Sequence, residues 1–159
     1  MLKNITKTAM AAAALIAIAS PAMAQQSPLE LKGDVQLVRV LASETGEQST
    51  ELVEPDVIVP GDRLLFSTDY HNSGSEPVTN FVVTNPVPPA VRLAPDADGA
   101  LEVSVDGGES WGAIGDLVVA AEEGGTRAAE HTDVTHIRWT LASVEPGQRG
   151  RLEYPAIIR

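Results

Sequence analysis

A five-residue stretch, Thr135–Trp139 (THIRW), contains an imidazole, a guanidinium and an indole. The imidazole of His136 can transfer a proton or bind a metal near neutral pH, and the guanidinium of Arg138 can bind an anion. On a strand, alternate residues point to opposite faces, which separates Thr135, Ile137, Trp139 and Leu141 from Val134, His136, Arg138 and Thr140. The bulk of the first set predicts that it is buried and that the second set meets solvent.

The histidines offer one arrangement in which a transition metal could bind. His131, Asp133 and His136 are close in sequence, and such a site needs two or more imidazoles that converge with a carboxylate. Residues 133 and 136 would point to opposite faces of a strand. We therefore predict that these side chains are solvated.

A loop rich in acidic residues offers a second arrangement. Asp96 and Asp98 alternate just before Gly99, and Glu102 follows, so hard oxygen ligands stand beside a residue that permits a sharp turn. The rest of the known calcium-loop pattern is missing, and a pair formed by Asp106 and Glu109 is weaker still. The sequence favours a solvated loop, and calcium bound by Asp96, Asp98 and Glu102 is the alternative.

Catalysis has little support in the sequence. The chain has no cysteine nucleophile, and we expect none of its serines to act from a nucleophile elbow. Among 22 acidic residues, no two are singled out as a glycosidase pair. We predict that the protein is not an enzyme and has neither catalytic residues nor a cofactor.

The first 24 residues have the features of a secretory signal peptide. Lys3 and Lys7 precede an apolar run over residues 10–19, and Ala22-Met23-Ala24 supplies small residues for signal peptidase. The run is shorter than the ~20 residues that cross a bilayer. We predict cleavage after Ala24, a periplasmic or extracellular location, and no membrane insertion after cleavage.

The charge of the chain excludes two classes of partner. Loss of Lys3 and Lys7 leaves nine basic residues against 22 acidic ones, a net charge of about −13. Nucleic acids and anionic membranes require clustered lysine and arginine, so we expect neither as a partner. Without cysteine the exported chain has no disulfide, and its stability must come from a packed core.

Period-two alternation begins at Leu29, after a polar leader over residues 25–28. It predicts strands over residues 29–41, 63–71, 80–84, 101–105, 117–121, 134–141 and 149–158. Turn residues separate these stretches, and none keeps a helical period. The pattern predicts one all-β domain, residues 29–159, with about seven strands in an antiparallel sandwich or barrel.

Three local expectations follow from this pattern. Alternation in the strand that starts at Arg63 puts Leu64, Phe66, Thr68 and Tyr70 on the core face. Asp106-Gly107 is typical of a tight hairpin turn, with Trp111 on the returning strand. The proline-rich segment over residues 83–99 must cross an edge or an end of the sandwich.

A further set of motifs lies between residues 53 and 93. An entry turn, Val59-Pro60-Gly61-Asp62, precedes a strand, and then come Asn72, Gly74, Pro77, Thr79, Asn80, Val82, Val83, Thr84, Pro86 and Pro88. In order and spacing these residues resemble the conserved-repeat domain of bacterial envelope and surface proteins, the domain-of-unknown-function family numbered eleven. Asn85 and Val78 depart mildly from the family pattern, and the later stretches SVDGGESW, DVTHIRWTL and EPGQRG extend the likeness to residue 154.

The resemblance implies an immunoglobulin-like antiparallel β-sandwich with structural, adhesive or interaction roles and no catalytic residues. We therefore expect a non-catalytic, exported structural or interaction module of the bacterial cell envelope, whose partner is a protein or another envelope component. The alternative is a sandwich that binds calcium or a carbohydrate. By analogy with other surface sandwiches, Lys32 could also form an amide crosslink with Asn80 or Asn85 beside Asp69, although an exposed edge charge is the simpler interpretation.

Overall fold

The computed structural model describes residues 28–42 and 48–159. The described residues form ten strands and one short 3-10 helix, Ile114–Asp116. The strands are β1 Leu29–Ala42, β2 Gln48–Val53, β3 Arg63–Asn72, β4 Val78–Pro86, β5 Val91–Leu93, β6 Glu102–Ser104, β7 Val118–Ala120, β8 Thr126–Ala128, β9 His136–Val144 and β10 Arg149–Ile158.

These strands form two main sheets and one small two-stranded sheet. The larger sheet has the order β2-β1-β3-β10-β5, the smaller has the order β4-β9-β6, and β7 pairs with β8. Every pairing is antiparallel. This arrangement confirms the predicted all-β antiparallel sandwich. The predicted signal peptide and residues 25–27 of the leader lie outside the described residues.

The core lies between the two main sheets. From the larger sheet, Leu64 and Tyr154 are buried, and Tyr154 stacks on Phe66 with 4.9 Å between ring centroids. From the smaller sheet, Val103 and Ile137 pack against them and are 1% and 0% exposed. Burial of Leu64, together with the packing of Phe66, confirms the core face that alternation predicts for β3.

The strand prediction misses three strands. The polar, exposed β2 shows no apolar alternation, while β5 and β8 have only three residues each, too few to establish a period. As predicted, the proline-rich segment crosses the sandwich, since it leaves the smaller sheet at Pro86 and joins the edge of the larger sheet at Val91.

Two local expectations are wrong. Strand alternation predicts Val134 on the solvent face, but it is 3% exposed and belongs to the core, because β9 begins only at His136 and the alternation does not extend back to it. The chain from Ser104 to Gly112 is a longer loop than a two-residue hairpin. Its left-handed residues are Gly107 and Gly108, with φ of 82° and 97°, and Trp111 is not part of a strand.

A buried asparagine joins three segments at one end of the sandwich. Asn72 is fully buried, and its amide nitrogen donates to the carbonyl of Glu76 at 2.9 Å and to that of Val144 at 2.8 Å. Its side-chain oxygen accepts a bond from the N–H of Gly74 at 3.0 Å. All of its hydrogen-bonding groups therefore have partners, which a buried amide requires.

No helix among the described residues is long and apolar enough to cross a membrane.

Candidate interaction surfaces

Each of the three candidate calcium ligands accepts hydrogen bonds from a different residue. Asp96 accepts two hydrogen bonds of 2.8 Å from Arg63, and Glu102 accepts two of 2.9 Å from Arg138. These bonds from guanidinium groups lower the pKa of both carboxyls. Asp98 accepts a bond from the backbone N–H of Ala100 at 2.9 Å. The structure does not bring the three carboxylates together around one point.

The residues around the histidines are similarly engaged. Asp133 accepts hydrogen bonds of 2.7 and 2.8 Å from Arg127, which lower its pKa, while Nδ1 of His136 lies 3.1 Å from the hydroxyl of Thr135. Over residues 28–42 and 48–159, no group of three or more histidine, cysteine, aspartate or glutamate side chains is arranged to hold a metal. Calcium binding at Asp96, Asp98 and Glu102 stays a prediction.

The second face of the THIRW stretch is only partly solvated. Arg138 stacks over the indole of Trp111 at 4.5 Å from its centroid, and the ring of His136 meets that indole edge-on at 6.4 Å. Both side chains are half-buried. Glu102 fixes the guanidinium of Arg138. The contacts of Arg138 and His136 with Trp111 therefore hold the 104–112 loop against β9. Strand alternation alone could not predict this packing, since Trp111 comes from a loop.

Hydrogen bonds within the 104–112 loop also stabilise it. Asp106 accepts hydrogen bonds from the hydroxyl of Ser104 at 2.7 Å, from the N–H of Glu109 at 3.1 Å and from the N–H and hydroxyl of Ser110. These bonds stabilise the carboxylate and hold its pKa far below the ordinary value of 3.8. Asp106 thus caps its own loop, and an ion held jointly with Glu109 stays the weaker alternative.

Ser110 lies in the sequence Gly108–Gly112, GESWG, which has the glycine spacing of a nucleophile elbow. An elbow joins a strand to a helix and directs its serine toward a base. Here the residue belongs to a loop that returns to β6 through paired backbone bonds of Val103 and Gly112, and its hydroxyl donates to Asp106. The motif supports a compact turn and gives no support to a nucleophile.

The structure does not bring Lys32 close to either asparagine with which it could form an amide crosslink. Lys32 lies directly opposite Asp69 in the register of β1 and β3, so both are on the outer face of the larger sheet. Asn85 donates to Thr68 at 2.8 Å, on the opposite face of β3, and Asp69 is bonded to Arg151 at 2.6 Å. Asn80 belongs to β4 in the other sheet. The structure therefore separates Lys32 from both asparagines.

A different surface is formed where β1 extends beyond β3. β1 pairs with β3 as far as Leu37, while, among the described residues, 38–42 pair only with 48–52 of β2. We call these ten residues the ribbon end. Leu37 packs against the core, so its neighbours Val38 and Leu52, which are paired with each other, lie on the outer side of the sheet together with Val40.

The ribbon end and the adjoining segment expose apolar side chains. Val40 is 59% exposed and Val57 is 73% exposed, and four further apolar residues of this region are exposed, namely Leu41, Leu52, Ile58 and Val59. A shallow pocket of about 370 Å³ lies beside the ribbon end, between residues 37–40 and residues 61–63. Such a concentration of exposed apolar residues is typical of a protein-binding surface.

The other half of the same outer face is charged. Arg151 and Asp69 form an ion pair at 2.6 Å, and His71 lies 3.5 Å from Glu30. The outer face of the larger sheet is therefore divided between a salt-bridged region near the start of β1 and an apolar region near its end.

Comparison of this chain with protein-family models, with curated proteins and with solved structures finds no match. The resemblance to the conserved-repeat domain stays a prediction.

Proposed function

We propose that this protein is an exported, non-catalytic interaction module of the bacterial cell envelope, with an immunoglobulin-like sandwich as its scaffold. The observation that carries the proposal is the exposed apolar surface of the ribbon end and of residues 57–59. Val40 and Leu52 share the outer side of the ribbon end, and an exposed apolar cluster of this kind is typical of a surface that binds another molecule. The half-buried ionisable groups described above are engaged in bonds that hold loops and strands, which favours a scaffold over a catalyst.

Co-purification with matched variants tests the interaction. Val40→Asp and Val118→Asp each place a charge at a position that is 59% exposed in the native protein, but only Val40 belongs to the ribbon end. We expect tagged wild-type protein and Val118→Asp to co-purify with the same envelope component, and Val40→Asp to lose it while it keeps the same melting temperature. Equal recovery with all three proteins would contradict the proposal.

Intact mass tests the proposed location. A protein exported through a signal peptide that is cleaved after Ala24 begins at Gln25. We expect the species isolated from an envelope fraction to have this start and the corresponding mass. A mature pool that retains Met1 would contradict export and, with it, the proposed compartment.

A second candidate function is carbohydrate binding, which one observation favours. The indole of Trp111 is only half-buried and lies beside the polar groups of Glu102, Arg138 and His136, a combination that sugar sites use. A ligand that prefers the native state raises its melting temperature. A shift on addition of glycans that disappears in Trp111→Ala would support this candidate, and the same assay with calcium tests the ion.

A further inference from the structure

The second strand forms an open edge of the larger sheet. Among the described strands, β2 pairs only with β1, so one side of Gln48–Val53 has unpaired backbone N–H and C=O groups. Five of its six residues are exposed and the sixth is half-buried. An edge of this kind is a template for a further strand.

The other sheet edges in the described chain are less suitable for strand addition. β5 and β6 have three residues each. β4 is longer, but Asn80 interrupts it with a φ of 51° and Pro86 ends it. β2 contains no proline and no left-handed residue, and its one charged side chain, Glu51, has Arg39 as its cross-strand neighbour.

The two faces of β2 differ in chemistry. Leu52 lies on the outer side beside Val38, and Thr50 lies there beside Val40, so an added strand would extend an apolar surface on that side. Glu51 lies on the opposite side with Arg39 as its cross-strand neighbour. A strand that alternates apolar and charged residues would match both faces in register.

The charge around this edge determines the sign of the matching residues. Glu51, Glu54 and Asp56 are all exposed, and Arg39 is the one basic residue within the described ribbon end. A second copy of the chain would bring a second Glu51 to the same edge, within a protein whose net charge is already −11. Like charges across a strand pair are destabilising, so self-pairing is disfavoured, while lysine or arginine opposite Glu51 is stabilising.

We infer that the free edge of β2 binds an extended segment of another envelope protein, one that alternates apolar and basic residues and adds to the larger sheet as a sixth strand. The inference rests on the proposed function, because it names the chemistry of the partner that an interaction module would take. Backbone hydrogen bonds supply affinity in this mode of recognition, and the alternating side chains supply specificity.

Peptide binding to the purified protein tests the inference directly. The probe is a fluorescent peptide that alternates valine and lysine, and its control alternates valine and glutamate. We expect the first peptide alone to bind, and to slow amide hydrogen exchange in residues 48–53. Glu51→Lys should weaken binding by about fivefold or more, because it replaces an attractive cross-strand pair with a repulsive one. Val118→Lys places a lysine at an exposed position on β7, outside the ribbon end, and should have little effect.

Three results would overturn the inference: equal binding of both peptides, slowed exchange confined to residues outside β2, or equal weakening by Glu51→Lys and Val118→Lys. Slow exchange of residues 48–53 in the protein alone, together with the mass of a dimer, would replace it with self-pairing. None of these results affects the co-purification experiment with Val40→Asp, so a failure of the inference is distinguishable from a failure of the proposed function.

Discussion

Trp139 and His136 lie three residues apart on β9, yet we expect very different costs when each is truncated. Trp139 packs against the core, with its ring 6.2 Å from that of Tyr154, whereas His136 touches the edge of a loop residue. Trp139→Ala should lower the free energy of unfolding by about 3 kcal/mol, and His136→Ala by about 0.5 kcal/mol, in urea denaturation. The reverse ranking, or loss of partner binding by a well-folded His136→Ala, would show that the imidazole belongs to a functional site.

Asp106 is expected to make stability depend on acid pH. Its pKa is lowered in the folded protein by hydrogen bonds from Ser110 and Ser104, so its contribution is fully present above the ordinary value of 3.8 and is lost as pH falls below that value toward the folded pKa. Asp106→Asn should therefore lower the melting temperature at pH 7, and the difference from wild type should shrink between about pH 4 and pH 2. Thermal melts across this range measure the effect, and a difference that is constant with pH would contradict it.

At the scale of residues, the sequence predicts burial better than it predicts partners. Alternation correctly placed Leu64, Phe66 and Ile137, because hydrophobicity and strand period depend on local sequence only. The stacking of Arg138 on Trp111 and the ion pair of Arg63 with Asp96 join segments that are far apart in the chain. Such pairings follow from topology, which the local pattern does not contain.

At the scale of elements, two glycines flank the central strand β3 and differ in the space available for a side chain. Gly33 of β1 lies opposite Thr68, and a methyl group added there would meet nothing closer than the carbonyl oxygen of Ser67 at 4.0 Å. Gly150 of β10 lies opposite Tyr70, and a methyl group added there would collide with the phenol ring. Neither glycine has a left-handed backbone.

We expect Gly33→Ala to stabilise the protein by about 0.5 kcal/mol, since it restricts the unfolded chain and fits the native backbone. Gly150→Ala should destabilise it by about 1 to 3 kcal/mol, because Tyr70 must leave its position. Urea denaturation compares the two. Replacing Tyr70 with serine as well should remove most of the cost of Gly150→Ala, and an equal effect of the two alanines would contradict the packing described for β10.

The elements also show why strand prediction succeeds unevenly. β1, β3 and β10 have ten or more residues, so alternation is readable, and their predicted bounds agree with the structure within one residue. β2 was not predicted, because an exposed edge strand with polar residues on both faces has no period to detect. β2, the edge strand that we propose as a binding site, is thus one of the strands that the sequence pattern does not reveal.

At the scale of the whole molecule, the ribbon end and the residues that follow it combine exposed apolar side chains with exposed acidic ones. The net charge of −11 opposes association of two copies of the chain, while the ribbon end leaves apolar side chains in solvent. This combination favours a different, basic partner over self-association. We propose that this partner binds at the ribbon end.

Site-specific photocrosslinking in intact cells tests this claim most directly. A photoreactive amino acid replaces Val40 in one strain and Val118 in another, two valines with the same exposure of 59% on different parts of the sandwich. We predict a discrete crosslinked adduct of higher mass from position 40 and none from position 118. The same adducts from both positions, or an adduct from position 118 alone, would contradict the assignment of the ribbon end as the binding surface.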